Sequence, residues 1–111
     1  MSEHVAQAIG FRFAEDHDGV EVGHAYLYVL RNDLHDRPFG FLEDLFVESE
    51  YRQHGVGAHL HDRVVARARK MGCYKLIATS RNDGARDVVH AWYGRLGYRD
   101  YGTEFRMDLL R

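Results

Sequence analysis

The chain has 111 residues, a formal net charge of −2 and one cysteine, and this length predicts a single domain spanning residues 1–111. The near-neutral charge gives no general attraction to nucleic acid or anionic lipid, and no apolar run approaches the roughly 20 residues of a membrane span, so neither partner is predicted. Because Cys73 is the single cysteine of the sequence, an intramolecular disulfide framework is excluded. The N-terminus has no basic region followed by an apolar core, and we therefore expect a cytoplasmic protein.

The first predicted elements are two strands that form an antiparallel hairpin. Residues 5–13 alternate between apolar and polar positions, and Asp16-His17-Asp18-Gly19 supplies turn chemistry before a second strand over residues 20–30. One face of this second strand carries Val22, His24, Tyr26, Tyr28 and Leu30. Such an aromatic stripe is typical of a core, although His24, Tyr26 and Tyr28 could instead line a ligand-binding pocket.

A third strand is predicted over residues 39–47. It is apolar on both parities, which is typical of a central strand covered on both faces. Glu43 and Asp44 lie in its middle, where carboxylates are costly unless they are paired, hydrogen-bonded or facing a cleft. Strand alternation predicts that the two side chains point to opposite faces. This conflict between strand pattern and charge indicates a functional site.

The segment Arg52-Gln53-His54-Gly55-Val56-Gly57 follows the third strand and opens an amphipathic helix over residues 56–71, which ends at Gly72. Two glycines one residue apart let the backbone approach an anion, and the amides of a helix N-terminus point at it. The segment therefore predicts a phosphate-binding turn, with a plain strand-to-helix turn as the alternative.

The remaining elements complete the predicted fold. Residues 74–79 indicate a strand parallel to the third, joined to it by the helix. A polar turn, with Asp83 as the N-cap, precedes a helix over residues 85–96 that Gly97 would end in a left-handed conformation. Phe105, Met107 and Leu109 alternate as a final strand. The predicted class is α/β (α+β): a mixed, mostly antiparallel central sheet with a β-α-β crossover and helices on the faces.

Eight histidines raise the possibility of a metal site, but their spacing does not favour one. His59 and His61 lie two residues apart on a predicted helix and so point roughly 160° apart, unlike an i, i+4 ligand pair. No metal ligand is predicted. Cys73 has no sign of activation, which argues against a cysteine nucleophile.

The order of these elements resembles the GNAT superfamily of acyl-CoA-dependent N-acetyltransferases over about residues 39–98. One signature is the turn at residues 52–57, and the other is the segment of residues 91–98, which is similar to the family's aromatic-Tyr-x-x-x-Gly-aromatic pattern. Residues 41–47 also look like the matching strand of the spermidine/spermine N-acetyltransferases. The resemblance implies acetyl-CoA as cosubstrate and acetyl transfer to a primary amine of a small molecule or peptide.

The resemblance also implies roles for individual residues. The pantetheine arm would lie along the main chain of Leu45, Phe46 and Val47, where a backbone N–H would face the thioester oxygen. The diphosphate would be bound by Arg52, Gln53, His54, Gly55, Val56, Gly57 and Ala58. Tyr93 matches the general acid toward the coenzyme A thiolate, with a core aromatic as the alternative. Glu43 matches the general base of the polyamine enzymes, with a buried structural carboxylate as the alternative.

Family members usually have a strand and two helices before the hairpin, whereas the hairpin predicted here starts near residue 5. The acceptor side is therefore expected to be open, to be built by the loop of residues 31–38, or to be completed by a second subunit, which predicts a homodimer. Two other functions remain possible: a non-catalytic acyl-CoA-binding or interaction module, and a nucleotide-binding domain. The latter is disfavoured because Ala58 and His59, rather than Lys-Ser/Thr, follow the last glycine.

Overall fold

A computed structural model describes residues 1–80 and 86–110, and at residue 86 the backbone alone. The chain divides into two compact units, Met1–Ala78 and Thr79–Arg111. Within the part of the chain that the structure describes, neither helix has the length and apolar character needed to cross a membrane.

The first unit is built on one four-stranded sheet. Its strands are β1 (Gln7–His17), β2 (Val20–Arg31), β3 (Phe39–Val47) and β4 (Leu76–Ala78). They lie in chain order across the sheet; β1–β2 and β2–β3 are antiparallel, whereas β3–β4 is parallel. The predicted mixed, mostly antiparallel sheet is confirmed. β3 has the predicted bounds, while β1 extends further toward the turn and β4 is shorter than predicted.

The parallel crossover from β3 to β4 is made by α1 (Val56–Lys70), preceded by one 3-10 turn (Ser49–Tyr51). Apolar residues recur at helical spacing, and Leu60, Val64 and Ala68 are buried against the face of β1, β2 and β3. Each fully buried leucine or valine contributes roughly 1.5–3 kcal/mol relative to an exposed one. This crossover, as predicted, brings the start of α1 to the end of β3.

From His24 to Val29, the buried face of β2 is the opposite of the predicted one, although Val22 is buried as predicted. Ala25 and Leu27 are fully buried and Val29 is 4% exposed, whereas His24 and Tyr26 are half-buried and Tyr28 is exposed. The interpretation of the aromatic stripe as core is therefore wrong. Compact aliphatic side chains pack under α1, while the aromatic side chains that carry polar groups face the other way, where their polar atoms can be hydrogen-bonded.

The second unit contains α2 (Arg86–Arg95). The helix ends as predicted: Gly97 has φ 102°, and the Tyr98 N–H donates to the Tyr93 carbonyl at 3.1 Å. The predicted N-cap, Asp83, and most of the preceding turn lie outside the described residues.

The predicted final strand is wrong. Residues 98–110 are not part of any ladder among the described residues, and Phe105, Met107 and Leu109 are each more than 80% exposed. Alternation identifies a strand only where a neighbouring strand supplies backbone partners. Apolar alternation alone was therefore a misleading signal here.

Candidate active site

The turn before α1 presents free backbone amides to solvent. Gln53 and Gly55 both have positive φ, 67° and 84°, and Gly55 is the N-cap of α1 without any side-chain capping bond. The first backbone bond of the helix runs from the His59 N–H to the Gly55 carbonyl at 3.0 Å. The preceding amides, through Ala58, thus have no acceptor within the helix. Since the first turn contains no acidic residue, this end of α1 is suited to binding an anion.

Arg52 joins this turn to the end of β3. Its Nε donates to the Val47 carbonyl at 3.0 Å, and its guanidinium lies 5.8 Å from the centre of the Phe46 ring. The side chain stays exposed, so it adds positive charge beside the uncapped amides. The structure thus brings Arg52 together with Phe46 and Val47, two of the three β3 residues predicted to contact the cosubstrate.

β3 separates from β4 before it ends. The two strands pair only from Gly40 to Leu42 on β3, and β3 continues for five residues beyond that point. Among the described residues, the edge of β3 from Glu43 to Val47 has no ladder partner on the β4 side. Main-chain N–H and C=O groups on this edge are therefore available to an extended ligand.

A β-bulge lies at the same place. The pairing of β2 with β3 shifts register between His24 and Tyr26, which pair with Phe46 and Glu43, respectively. Two residues of β3 therefore lie opposite a single residue of β2. Asp44 is one of them, and its φ of 57° is left-handed, a conformation that aspartate tolerates better than most residues.

The bulge corrects the prediction that Glu43 and Asp44 point to opposite faces. Glu43 lies directly across from Tyr26, and directly paired residues project to the same side of a sheet. Asp44 Oδ2 accepts a hydrogen bond from His24 Nε2 at 3.0 Å, on this same face. Simple alternation fails because the extra residue resets the parity of the strand.

This face of the sheet, which we call the polar face, is made by Arg12, Glu21, His24, Tyr26, Glu43, Asp44 and Phe46. Glu43, Asp44 and Phe46 are exposed, so the predictions that β3 is covered on both faces, and that Glu43 might be a buried structural carboxylate, are wrong. The ring of His24 lies beside those of Tyr26 and Phe46, with centres 5.8 and 5.6 Å away. The polar face therefore combines these aromatic rings with the two acidic side chains of β3.

A hydrogen-bonded network continues from His24 to β1. Arg12 donates to both carboxylate oxygens of Glu21 at 2.8 Å, and its Nε donates to the Tyr26 hydroxyl at 3.0 Å. Hydrogen bonds from Arg12 lower the pKa of the Glu21 carboxyl, so this acid is ionised at neutral pH. Glu21 Oε2 also lies 3.7 Å from His24 Nδ1. The imidazole is thus placed between two carboxylates.

Tyr93 lies on α2 in the second unit. Its ring is half-buried and contacts Trp92 and Tyr98, with ring centres 5.3 and 5.2 Å away. Burial raises the pKa of the Tyr93 phenol, because the phenolate loses hydration. Its hydroxyl is therefore protonated at neutral pH. The surroundings fit a packed aromatic that still has a proton to donate.

The surroundings of His59, His61 and Cys73 do not indicate a catalytic or metal-binding role. His61 is buried and His59 is exposed, which confirms that they face opposite sides of α1. Burial raises the pKa of the Cys73 thiol, so the thiolate is disfavoured. Within residues 1–80 and 86–110, no three His, Cys, Asp or Glu side chains are close enough together to hold a metal ion.

The pairing of His24 with Asp44 was missed by sequence reasoning. The available signal was weak: His24 shares a strand face with two tyrosines, and Asp44 interrupts an apolar strand. Their contact depends on a bulge that periodicity cannot locate.

Comparison with known proteins gives one consistent result. The profile of the Acetyltransferase (GNAT) family matches residues 3–98. The chain is 31% identical over 81 residues to an aminoglycoside N(6')-acetyltransferase type 1 of Acinetobacter genomosp. 13, which covers 73% of this chain and 53% of that protein. It is 33% identical over 73 residues to a glucosamine 6-phosphate N-acetyltransferase of Trypanosoma brucei brucei, a match that covers 66% of this chain and 46% of that protein.

Solved structures agree with this. The crystal structure of a Trypanosoma brucei acetyltransferase superimposes with a TM-score of 0.77 at 29% identity, covering 92% of this chain and 69% of that one. The chain spans about half the length of the curated relatives it matches.

Proposed function

Because the chain belongs to the GNAT family of acetyltransferases, we propose that it transfers an acetyl group from acetyl-CoA to a primary amine of a small molecule or peptide. The observation that carries this proposal is the uncapped N-terminus of α1 beside the free edge of β3. A helix end without a side-chain cap and an extended main-chain edge, five residues long, lie next to each other in the first unit.

The described residues fit acetyl-CoA. The amides of residues 53–58 have no acidic neighbour in the first turn of α1, and a Cβ added at Gly55 would meet nothing within 4 Å. This open space lets a diphosphate approach the backbone, with Arg52 adding a cationic side chain. The pantetheine arm would hydrogen-bond to the main chain of Leu45 to Val47, on the edge that β4 leaves unpaired.

When bound, acetyl-CoA supplies an activated thioester carbonyl. A backbone N–H near Phe46 or Val47 on the free edge of β3 would donate to the thioester oxygen as negative charge develops there. Glu43, exposed on the polar face, is the candidate general base that removes a proton from the acceptor ammonium. Tyr93 is the candidate general acid for the departing thiolate. General acid or base catalysis of this kind typically contributes about 10²- to 10⁴-fold in rate.

The acceptor class follows from the polar face and from the relatives. An aminoglycoside and glucosamine 6-phosphate, the substrates in the names of two relatives, are both amino sugars. Carboxylates bind ammonium and hydroxyl groups, and exposed aromatic rings such as Phe46 and Tyr28 pack against sugar rings and cations. We therefore propose an amino sugar, or another compound with several primary amines such as a polyamine, as the acceptor.

A second candidate is a non-catalytic acyl-CoA-binding module. It is favoured by the exposure of Glu43, Asp44 and Phe46, since general catalysis is more effective where water is excluded. In this case the helix end would still bind acetyl-CoA, but no amine would be acetylated.

Thiol release from acetyl-CoA across a panel of amines distinguishes these functions. The panel contains glucosamine 6-phosphate, kanamycin, spermidine and a lysine peptide. We expect turnover with at least one amine, a fall of about 10²-fold or more in Tyr93→Phe and Glu43→Gln, and little change in the matched controls Tyr101→Phe and Glu3→Gln. Acetyl-CoA should raise the melting temperature of all five proteins.

Three results would contradict parts of this proposal. Stabilisation by acetyl-CoA without turnover on any amine would favour the module. Unchanged turnover in Tyr93→Phe would remove that residue from the mechanism. Stabilisation by ATP but not by acetyl-CoA would favour a nucleotide-binding domain.

We also propose a homodimer and a cytoplasmic location. The dimer is supported by the exposed aromatic groups of the polar face, and the location by the free thiol of Cys73. Light scattering after size exclusion tests the dimer, and a mass of 12.9 kDa at micromolar concentration would rule it out.

A further inference from the structure

We propose that His24 is the residue that accepts the proton of the acceptor amine, and that Asp44 positions it. This inference rests on the proposed acetyl transfer and changes the assignment of its general base. The observation is the pairing of His24 Nε2 with Asp44 Oδ2 at 3.0 Å, at the bulge where β3 leaves β4.

The position of His24 places it beside the reacting groups. His24 pairs across the sheet with Phe46, whose backbone belongs to the edge proposed to hold the thioester. Its side chain is 21% exposed, compared with 55% for Asp44. An imidazole that is partly covered is held in place and can still contact a substrate.

The charges around His24 suit a proton acceptor. Asp44 faces Nε2 from β3, and Glu21 of β2 lies 3.7 Å from Nδ1. From β1, Arg12 neutralises Glu21 through two hydrogen bonds, while the hydroxyl of Tyr26 and the carboxylate of Glu43 complete the polar surroundings. Two carboxylates stabilise an imidazolium after it forms, and the arginine limits their combined charge.

The hydrogen bond to Asp44 fixes which nitrogen is the base. A carboxylate accepts hydrogen bonds, so Nε2 carries the proton and donates it to Asp44, and Nδ1 keeps the free electron pair. A carboxylate that fixes the imidazole tautomer also recurs in enzymes that use histidine as a general base, although there it is bonded to Nδ1 and Nε2 is the base. Nδ1 of His24 is therefore the atom that receives the proton.

Imidazole is also the better-matched base for this reaction. A free imidazole is in general a stronger base than a free carboxylate, and a general base works best when its pKa is close to the working pH. An exposed carboxylate such as Glu43 is better suited to attracting the ammonium group than to removing its proton. Glu43 would then bind the acceptor, and His24 would deprotonate it.

The proposed step balances. Nδ1 of His24 takes one proton from the ammonium and later releases it to solvent, which leaves an electron pair on the amine nitrogen. That pair forms the C–N bond to the acetyl carbon while the C–S bond breaks. The nitrogen loses a second proton to solvent to give the amide, and the sulfur gains one from Tyr93, which recovers its proton from solvent.

The test compares pH profiles of kcat/KM for kanamycin and glucosamine 6-phosphate at saturating acetyl-CoA. In the wild type we expect kcat/KM to fall on the acid side as the base becomes protonated. His24→Gln should lower kcat by about 10²-fold or more and remove this acid limb, with KM for acetyl-CoA changed less than twofold. Asp44→Asn should keep the limb with a smaller loss, and His4→Gln, an exposed histidine remote in sequence, should match the wild type.

A purely structural role for His24 would give a different pattern. In that case His24→Gln would lower the melting temperature and all rates together, but the acid limb would persist, and the inference would be wrong. Retention of the limb in His24→Gln and its loss in Glu43→Gln would return the role to Glu43. No wild-type turnover with any amine of the four-member panel would instead overturn the acetyl transfer itself, and this inference with it.

A second measurement needs no variant. Nitrogen-15 NMR of the wild-type imidazoles should show His24 with a protonated Nε2 and an unprotonated Nδ1 at pH 8. A protonated Nδ1 and unprotonated Nε2 would contradict the proposed hydrogen bond and the proposed base atom.

Discussion

Replacing Gly55 by alanine tests whether the turn before α1 binds the anion of the cosubstrate. Gly55 has φ 84°, and a Cβ there would meet nothing within 4 Å. The substitution therefore causes no steric clash, and its cost is the left-handed backbone alone, about 1–2 kcal/mol for a residue with a Cβ. For a domain of this size, each kcal/mol lowers the melting temperature by about 4–8 °C.

Gly19 provides a matched control. It has φ 83° in the β1–β2 turn, and a Cβ there would also meet nothing within 4 Å. Gly19→Ala should therefore lose the same stability as Gly55→Ala. Only Gly55→Ala should also weaken acetyl-CoA binding, by about tenfold or more, which corresponds to 1.4 kcal/mol. Any rotation of the residue 55 backbone that partly relieves this strain would move the amides of Val56 and Gly57 out of alignment.

Urea denaturation measures the free energy of unfolding of both variants, and isothermal titration calorimetry measures their acetyl-CoA affinity. Equal acetyl-CoA affinity in Gly55→Ala, Gly19→Ala and the wild type would refute the assignment of the turn as the anion site. Equal stability of all three proteins would refute the strain argument.

Three further predictions concern the sheet and its contact with α1. A Cβ at Gly23 would lie 3.0 Å from Leu60 Cδ1 and 3.2 Å from the Phe46 carbonyl oxygen. Gly23→Ala should therefore lower the free energy of unfolding, measured with urea, by about 1–3 kcal/mol. An unchanged free energy of unfolding would show that α1 can shift away from β2 without cost. Leu60 is fully buried, and Leu60→Ala should lower the free energy of unfolding by about 2–5 kcal/mol. A loss below about 1 kcal/mol would mean that Leu60 of α1 does not pack against the sheet. Arg12 lowers the pKa of the Glu21 carboxyl, so this pair's stabilisation is complete above the carboxyl's usual pKa near 4.5 and is lost as pH falls through the lower folded-state pKa. The stability difference between the wild type and Arg12→Gln should accordingly be larger at pH 7 than at pH 2, and an equal difference would argue against the linkage.

The parts of the fold that periodicity controls were predictable. The bounds of β3 and the helix after it followed from runs of apolar residues with the right spacing, and Gly72 and Gly97 marked helix ends where the structure has positive φ. These features are local, so the chain around them contains the information that determines them. The same holds for the turn at residues 52–57.

The orientation of strand faces was less predictable. β2 is apolar on both parities, so alternation could not decide which side packs under α1. Residues 105–109 alternate as well as any true strand, yet the described structure pairs them with nothing. Both errors have the same cause: which strand face is buried, and whether a strand forms at all, depend on neighbours distant in sequence.

The bulge at Asp44 has the largest consequence for the candidate site, and it was invisible to the same reasoning. One extra residue in β3 turns both Glu43 and Asp44 to the polar face, and it lies where β3 loses β4 as a partner. A strand without the bulge would point one of these carboxylates toward the packed face, where an unpaired charge costs several kcal/mol. The left-handed conformation of Asp44 and its hydrogen bond with His24 are therefore connected: the bulge brings the carboxylate to the imidazole, and the imidazole compensates part of the strain. An acidic pair inside an apolar strand is best explained as one local irregularity that places two acids on a single face.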